Sequence, residues 1–233
     1  MFEALGFRAL ATTSSGFAFT LGRPDGSVTL DELAAHVEAV DSVTSLPISV
    51  DLENGFGSRP EDAAEAIRRA AAAGAVGGSI EDCGRDKVLY AFDLAVERVA
   101  AAVDAARGLD FPFTLTARAE NHIRGNPDLD DTITRLRAFE RLGADVLFAP
   151  GLRPEEVAAV CDAVSSPVNA LARPDATMAE LVEAGAQRIS VGGALAWAGI
   201  EAAAEAAERI RDDGDFSGLR TPARAGEWLS GSP

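Results

Sequence analysis

The sequence has almost no lysine: Lys87 is the sole one, against 20 arginines. Its 37 acids outnumber the 21 basic residues and leave a net charge of −16. An excess of this sign excludes nucleic acid and anionic membrane surfaces as natural partners. Cysteine is equally scarce. Cys83 and Cys161 cannot make a disulfide framework, which excludes a stapled secreted scaffold and fits a reducing compartment. No apolar run is long enough to span a bilayer, and Met1 to Gly6 lacks the basic start of a signal peptide. The expected location is cytoplasmic. No glycine-rich dinucleotide fingerprint follows the first β-like run, which disfavours a doubly wound nucleotide-binding sheet.

What is present is a regular alternation of short β-like runs and Ala-rich or amphipathic helices. At 233 residues the chain suits one domain of α/β-barrel size. Met1 to Leu5 reads as the last turn of a helix capped by Gly6. Strands are predicted at 7–12, 47–50, 76–80, 113–117, 145–148, 167–171 and 188–191. Thr13-Ser14-Ser15-Gly16 reads as a polar turn after the first of them. Helices are predicted at about 29–40, with Thr29 and Glu32 as a capping box, and at 60–73. Others run from the late eighties to near Gly108, then about 130–142, 154–164 and 177–184, and from Gly193 to about Asp212. Seven strand–helix units imply a parallel sheet, because each helix returns the chain to the same edge. The predicted fold is an α/β, TIM-type (β/α)8 barrel lacking its first strand. The barrel is assigned to residues 1–213 and a Gly-, Pro- and Ser-rich C-terminal tail to 214–233, with Trp228 available to anchor it.

Chemistry in a parallel barrel gathers at the carboxyl ends of the strands. In order these ends carry Ser14-Ser15-Gly16, Asp51 with Glu53, Glu81-Asp82, Arg118 with Glu120, Pro150-Gly151, Asn169 to Arg173 and Gly192-Gly193. Alternation along an extended strand points Asp51 and Glu53 the same way, and two like charges so placed call for a cation or a proton between them. Oxygen ligands of this kind suit Mg²⁺ or Mn²⁺ rather than zinc, which wants His or Cys. Arg118 can grip a carboxylate with two prongs, and the amides of Ser15, Gly16 and Phe17 can form an anion nest. A metal, an arginine and a nest suit a small 2-oxo or 2-hydroxy acid and its enolate. His36 is expected on an outer helix facing solvent. His122 lies just past a strand end, where an acid–base role is open to it. Cys83 lies near the rim beside Arg85 and Lys87, and Cys161 sits in a helix.

Four segments, Thr12 to Ala18, Asp51 to Gly57, Gly78 to Asp82 and Thr116 to Asn121, resemble the isocitrate lyase / phosphoenolpyruvate mutase superfamily. The resemblance runs in order over residues 7–210. It implies a (β/α)8 barrel, Mg²⁺, and making or breaking of C–C or P–C bonds next to a 2-oxo acid. By that resemblance Asp51 binds the metal directly, Glu53 and Glu81 bind it through water, and Asp25 lies close by. Ser15, Gly16 and Phe17 hold the substrate carboxylate, and Arg118 binds a carboxylate or the oxyanion. Arg118, Glu81 and Asp25 form the expected catalytic set. A homo-oligomer, dimer or tetramer, is implied by a C-terminal helix that packs on a neighbouring barrel. Lyases of this group carry a Lys-Cys-Gly-His motif in a long loop after the Glu-Asp strand. The present loop is short and contains no His. The leading expectation is a Mg²⁺-dependent C–C lyase. The alternatives are an impaired homologue that binds a small oxo acid, or P–C chemistry on a phosphonopyruvate-like substrate.

Overall fold

The computed structural model describes residues 1–219 together with Arg224, Gly226 and Trp228. Seven parallel strands form one sheet in the order β1 to β7, each beside its sequence neighbour. They are β1 (Leu10–Ala11), β2 (Ile48–Asp51), β3 (Gly77–Glu81), β4 (Thr114–Arg118), β5 (Val146–Phe148), β6 (Val168–Leu171) and β7 (Arg188–Ser190). The helices are α1 (Ser14–Thr20), α2 (Leu30–Asp41), α3 (Pro60–Ala72), α4 (Phe92–Arg107), α5 (Leu129–Leu142), α6 (Pro154–Ala163), α7 (Met178–Glu183) and α8 (Ala194–Asp213). The sheet is a half-barrel: among the described residues β1 and β7 are not paired with each other. The predicted TIM-type α/β architecture with seven βα units is therefore the observed one.

Local chemistry explains most boundaries. Thr29 accepts the Glu32 amide and Glu32 accepts the Thr29 amide, so the predicted capping box starts α2. Pro60 opens α3, and left-handed Gly143 closes α5. Gly6 caps a short 3₁₀ turn at Glu3–Leu5 with φ of 86°. The polar turn expected at Thr13 to Gly16 is instead the start of α1. Thr13 stays extended and the Phe17 amide already donates to its carbonyl at 3.0 Å. Turn-forming residues served here as a helix N-terminus, a role serine fills equally well.

The core lies between sheet and helices. Ala63, Ala66 and Ala70 of α3 and Ala95, Val99 and Ala102 of α4 are buried, so two helices with small side chains sit close together over the sheet. Leu52, Leu115 and Leu147 are fully buried. Each such leucine stabilises the fold by about 1.5–3 kcal/mol relative to exposure. By contrast α8 has no buried residue, and Leu195 and Trp197 on it are 52% and 44% exposed. It ends at Gly214, and most of the tail assigned to 214–233 lies outside the described residues. No helix among the described residues is long and apolar enough to cross a membrane.

Register sets the height of each side chain. Asp51 pairs with Ser79, Glu81 with Arg118, Arg118 with Phe148, and Asn169 with Arg188. Asp51, Glu81, Arg118 and Phe148 close their strands and share one end of the sheet, whereas Asn169 lies within β6 and Arg188 opens β7.

Candidate active site

Asp51 is tied into the rim through its amide and both carboxylate oxygens. Its amide donates to Thr12 Oγ1 at 3.0 Å, and its Oδ2 accepts the Ser14 amide at 3.3 Å. Its Oδ1 accepts the Glu53 amide at 3.2 Å and Arg118 Nη1 at 3.0 Å. Glu53 reaches the same place by a different route from the one expected. It lies beyond β2 with φ of 48°, in the left-handed region that costs a residue with a side chain about 1–2 kcal/mol. The Gly55 amide closes the turn on the Leu52 carbonyl at 2.8 Å, and the Glu53 carbonyl accepts the Glu81 amide at 2.9 Å. The turn, and not strand alternation, sets Glu53 beside Asp51. Gly55 itself cannot be replaced freely, since a Cβ there would stand 2.8 Å from the Ala63 backbone at a φ of 77°.

The electrostatics of this corner are strained. Burial, then the charges of Asp51 and Asp25, push Glu53 up to about 7. Burial also pushes Glu81 up to about 8 against the opposing pull of Arg118. Asp25 is an exposed member of the group, with Lys87 Nζ at 4.0 Å from its Oδ2. Lys87, too, is left-handed, with φ of 65°.

Arg118 ties the acids together. Its Nη1 meets Asp51 at 3.0 Å, and its Nη2 meets Glu81 at 3.2 Å and Glu120 at 2.8 Å. Its Nε also donates to Glu120, at 3.0 Å. Burial pulls its pKa down, but the charges of Glu120, Asp51 and Glu81 pull it further up, so it stays a cation. Expected as a free grip for substrate, it is largely engaged by the protein's own carboxylates.

The other expected residues divide. Ser15 and Gly16 lie in the first turn of α1, where amides lack intrahelical acceptors. The Phe17 amide is taken by Thr13, so the expected three-amide nest presents two. Ser15 sits against the loop after β7: a Cβ on Gly193 would stand 2.9 Å from its Oγ. That contact brings the first and last strand ends of the half-barrel together. His36, expected in solvent, is half-buried with its ring stacked on Phe17 at 4.0 Å. His122 faces Thr132 at 3.4 Å and Glu156 at 3.8 Å instead of the rim acids. Cys83 is fully buried, and burial pushes its thiol up to about 11, which makes it inert as a nucleophile at neutral pH.

Two arginines that the sequence reading passed over organise the rim from behind. Arg98 of α4 donates to the carbonyls of Asn54 and Arg59 and lies 4.6 Å from the Tyr90 ring centroid, fixing the loop after β2. Arg135 of α5 meets Asp82 at 3.1 Å, turning Asp82 away from the rim that Glu81 faces. Both arginines sit in apolar helix stripes, Arg98 with Ala95, Val99 and Ala102, and Arg135 with Thr132, Leu136 and Phe139. A cation in such a stripe was the available signal, since buried charges need partners.

The donor set fits a hard divalent cation. Asp51, Glu53 and Glu81 offer only oxygen, and Glu53 stands high through burial first and the charges of Asp51 and Asp25 second. Among the described residues no three His, Cys, Asp or Glu side chains converge as ready ligands. Arg118 lies between Asp51 and Glu81 and holds both.

The family model for phosphoenolpyruvate phosphomutase matches residues 1–211. A crystal structure of a candidate lyase/mutase from Burkholderia cenocepacia J2315 superposes with a TM-score of 0.92 at 49% identity, covering 100% of this chain and 86% of that one. Oxaloacetate decarboxylase of Paraburkholderia xenovorans (strain LB400) is 34% identical over 185 residues, 75% of this chain and 60% of the relative. The 2-methylisocitrate lyase of Escherichia coli (strain K12) is 34% identical over 157 residues, 63% of this chain and 51% of the relative. These relatives are lyases or mutases of small carboxylates.

Proposed function

Because the chain belongs to the phosphoenolpyruvate phosphomutase family, within the isocitrate lyase superfamily, we propose that it is a Mg²⁺-dependent carbon–carbon lyase. Its substrate is a small 2-oxo or 2-hydroxy dicarboxylate, cleaved by retro-aldol reaction or decarboxylation. The observation that carries this reading is the pair Asp51 and Glu81 joined by Arg118 at the strand ends, with Glu53 near enough for the charge of Asp51 to act on it. Asp51, Glu53 and Glu81 would hold Mg²⁺ or Mn²⁺. When bound, the cation supplies Lewis-acid polarisation of the 2-oxo or 2-hydroxy group.

The chain's own groups do the rest. The Ser15 and Gly16 amides at the start of α1 receive the carboxylate next to the reacting carbon. In decarboxylation the C–C electron pair passes onto the 2-oxo oxygen, CO₂ leaves, and the enolate then takes up a proton. In retro-aldol cleavage the 2-hydroxyl gives up its proton, its carbon leaves as a 2-oxo acid, and the pair passes into the enolate of the other fragment, which is protonated in turn. Arg118 is placed to stabilise that charge without rearranging, because three carboxylates already fix its orientation. Glu81, held high by burial, can carry a proton near neutral pH. Asp25 lies in the neighbouring loop, close enough to raise Glu53.

Turnover of a panel comprising oxaloacetate, 2-methylisocitrate and phosphonopyruvate, followed by proton and phosphorus NMR, tests the reading. Metal-dependent loss of one dicarboxylate with release of a 2-oxo acid or CO₂ is the expected result. Phosphonopyruvate conversion alone would replace C–C with P–C chemistry. A second reading, a homologue that binds a small acid without cleaving it, is favoured by the short closed connection after β3. There a bridge between Cys83 and Leu89 leaves little chain to fold over the rim. Calorimetric binding of oxalate in Mg²⁺ with no turnover across the panel would establish it.

The bare outer surface of α8 supports a homo-oligomer, a dimer or tetramer, as the working form. Light scattering after size exclusion should give a mass at least twice the 24.2 kDa of one chain. A monomer at micromolar concentration would sink the idea.

A further inference from the structure

Among the described residues two arginines, Arg118 and Arg188, reach across one face of the sheet, and of the two Arg118 alone is matched by acids. Arg118 of β4 meets three carboxylates. Arg188 of β7 spans three strands to donate from Nη1 to Thr116 Oγ1 of β4 at 2.9 Å. Thr116 is two residues before Arg118 on the same strand, so both guanidinium groups share one face. Among the described residues Arg188 has no carboxylate within ion-pair distance and no second hydrogen-bond partner. Burial lowers its pKa and no acid raises it again. A half-buried arginine so placed bears the cost of desolvation without the usual compensation.

A second, independent gap lies beside it. Asn169 of β6 is in register with Arg188 and is 4% exposed. Its Nδ2 donates to Ser190 Oγ at 3.0 Å, but its buried Oδ1 has no partner. Buried polar atoms of a protein are nearly always paired, so an orphan acceptor next to an unmatched donor fork marks a place for a ligand. The Gly193 contact to Ser15 sets the loop after β7 next to the start of α1, and Arg188, the first residue of that strand, reaches the interior below this rim through its long side chain.

We propose that Arg188 is a specificity-determining residue that binds the second carboxylate of a dicarboxylate substrate, with Asn169 Oδ1 accepting a substrate hydroxyl alongside. The inference rests on the proposed function, in which the first carboxylate lies at Ser15 and Gly16. It adds the reason a diacid is preferred to a monoacid of the same length. A guanidinium fork matches a carboxylate in two bonds, and the partly desolvated setting strengthens both.

Malate and 2-hydroxybutyrate differ only in a terminal carboxylate against a methyl group. Calorimetric titration of the full chain in Mg²⁺ should show the wild type binding malate at least tenfold more tightly. In Arg188→Gln that preference should fall to within twofold, with 2-hydroxybutyrate affinity unchanged within twofold. Arg188→Lys, which keeps the charge and loses the fork, should retain part of the preference. The wild-type ratio and the lysine variant decide the matter even if the glutamine variant does not fold. Equal affinity of wild type for the two acids, or full malate preference in Arg188→Gln, overturns the subsite and leaves the lyase reading intact. Failure of wild type to bind either acid, while a panel substrate is turned over, also overturns the subsite alone. No binding and no turnover overturns both.

Discussion

Replacing Arg118 by methionine should cost the fold about 3–5 kcal/mol, the usual penalty for leaving buried charges without their partner. Three carboxylates converge on this guanidinium, those of Asp51, Glu81 and Glu120, at 2.8 to 3.2 Å. Glu120 is fully buried and Glu81 nearly so. The guanidinium lowers the pKa of Glu81, while burial and the neighbouring acids raise it. Removing Arg118 therefore raises the folded pKa further above the unfolded value. A group shifted in that direction contributes stability below its unfolded pKa and loses it as pH rises through the folded one. Both proteins therefore lose stability in parallel up to about pH 8, and the deficit of the methionine variant should grow only as pH rises above about 8, where the wild-type carboxyl ionises and the variant's does not. Urea denaturation of both proteins on either side of that pH measures it. A deficit independent of pH, or one that grows on acidification, would show that the charges around Arg118 are not what it stabilises. Arg118→Lys should recover only part of the loss, because one ammonium cannot reach three carboxylates from a planar fork's positions.

Chelation should silence the enzyme. Lewis-acid polarisation contributes several kcal/mol to the transition state, and each 1.36 kcal/mol is tenfold in rate, so EDTA should reduce kcat by about 10³ or more. Mg²⁺ added back should restore it. Asp51→Asn should show the same loss with metal present, because Asp51 is the acid bonded at once to Arg118, to the start of α1 and to the turn at Glu53. The metal should also move stability in a defined direction. Glu53 is pushed up to about 7 by burial and by the charges of Asp51 and Asp25. Its folded pKa lies above its unfolded one, so the metal-free protein loses stability as pH rises from about 4.5 through about 7. Mg²⁺ at pH 8 should restore that loss, and Glu53→Gln should reduce both the pH slope and the response, the remainder coming from Glu81. Scanning calorimetry at two pH values with and without Mg²⁺ reads this out. Full turnover in EDTA, or in Asp51→Asn, would leave the proposed chemistry without its centre.

The order of elements, the parallel sheet and the end of it that bears the acids were readable from the chain. Alternating periodicities demand βαβ crossovers, and crossovers put every carboxyl end on one side. Caps such as Thr29 with Glu32 and Gly143 are local, and local hydrogen bonds leave local signatures. Asp51, Glu81 and Arg118 could be named as neighbours because register is nearly fixed once strands are parallel and consecutive. What Arg118 does there could not be named. Whether a guanidinium waits for substrate or is already bound by Asp51, Glu81 and Glu120 depends on distances across the sheet, over separations in sequence that no spacing rule covers. Glu53 faces Asp51 through a left-handed turn and not a pleat, a choice made by the Gly55 and Glu81 backbone bonds. Arg98 and Arg135 show in the sequence only as cations in apolar stripes and Arg188 shows no signal at all, and packing alone decides what each of them meets. The acidic composition and the strand-end motifs determined what kind of ion and acid this protein could hold. The packing across the sheet decided which charges are already matched and which are left for a ligand, because Coulomb energy depends on separation in space and on burial, and the chain's linear order encodes neither.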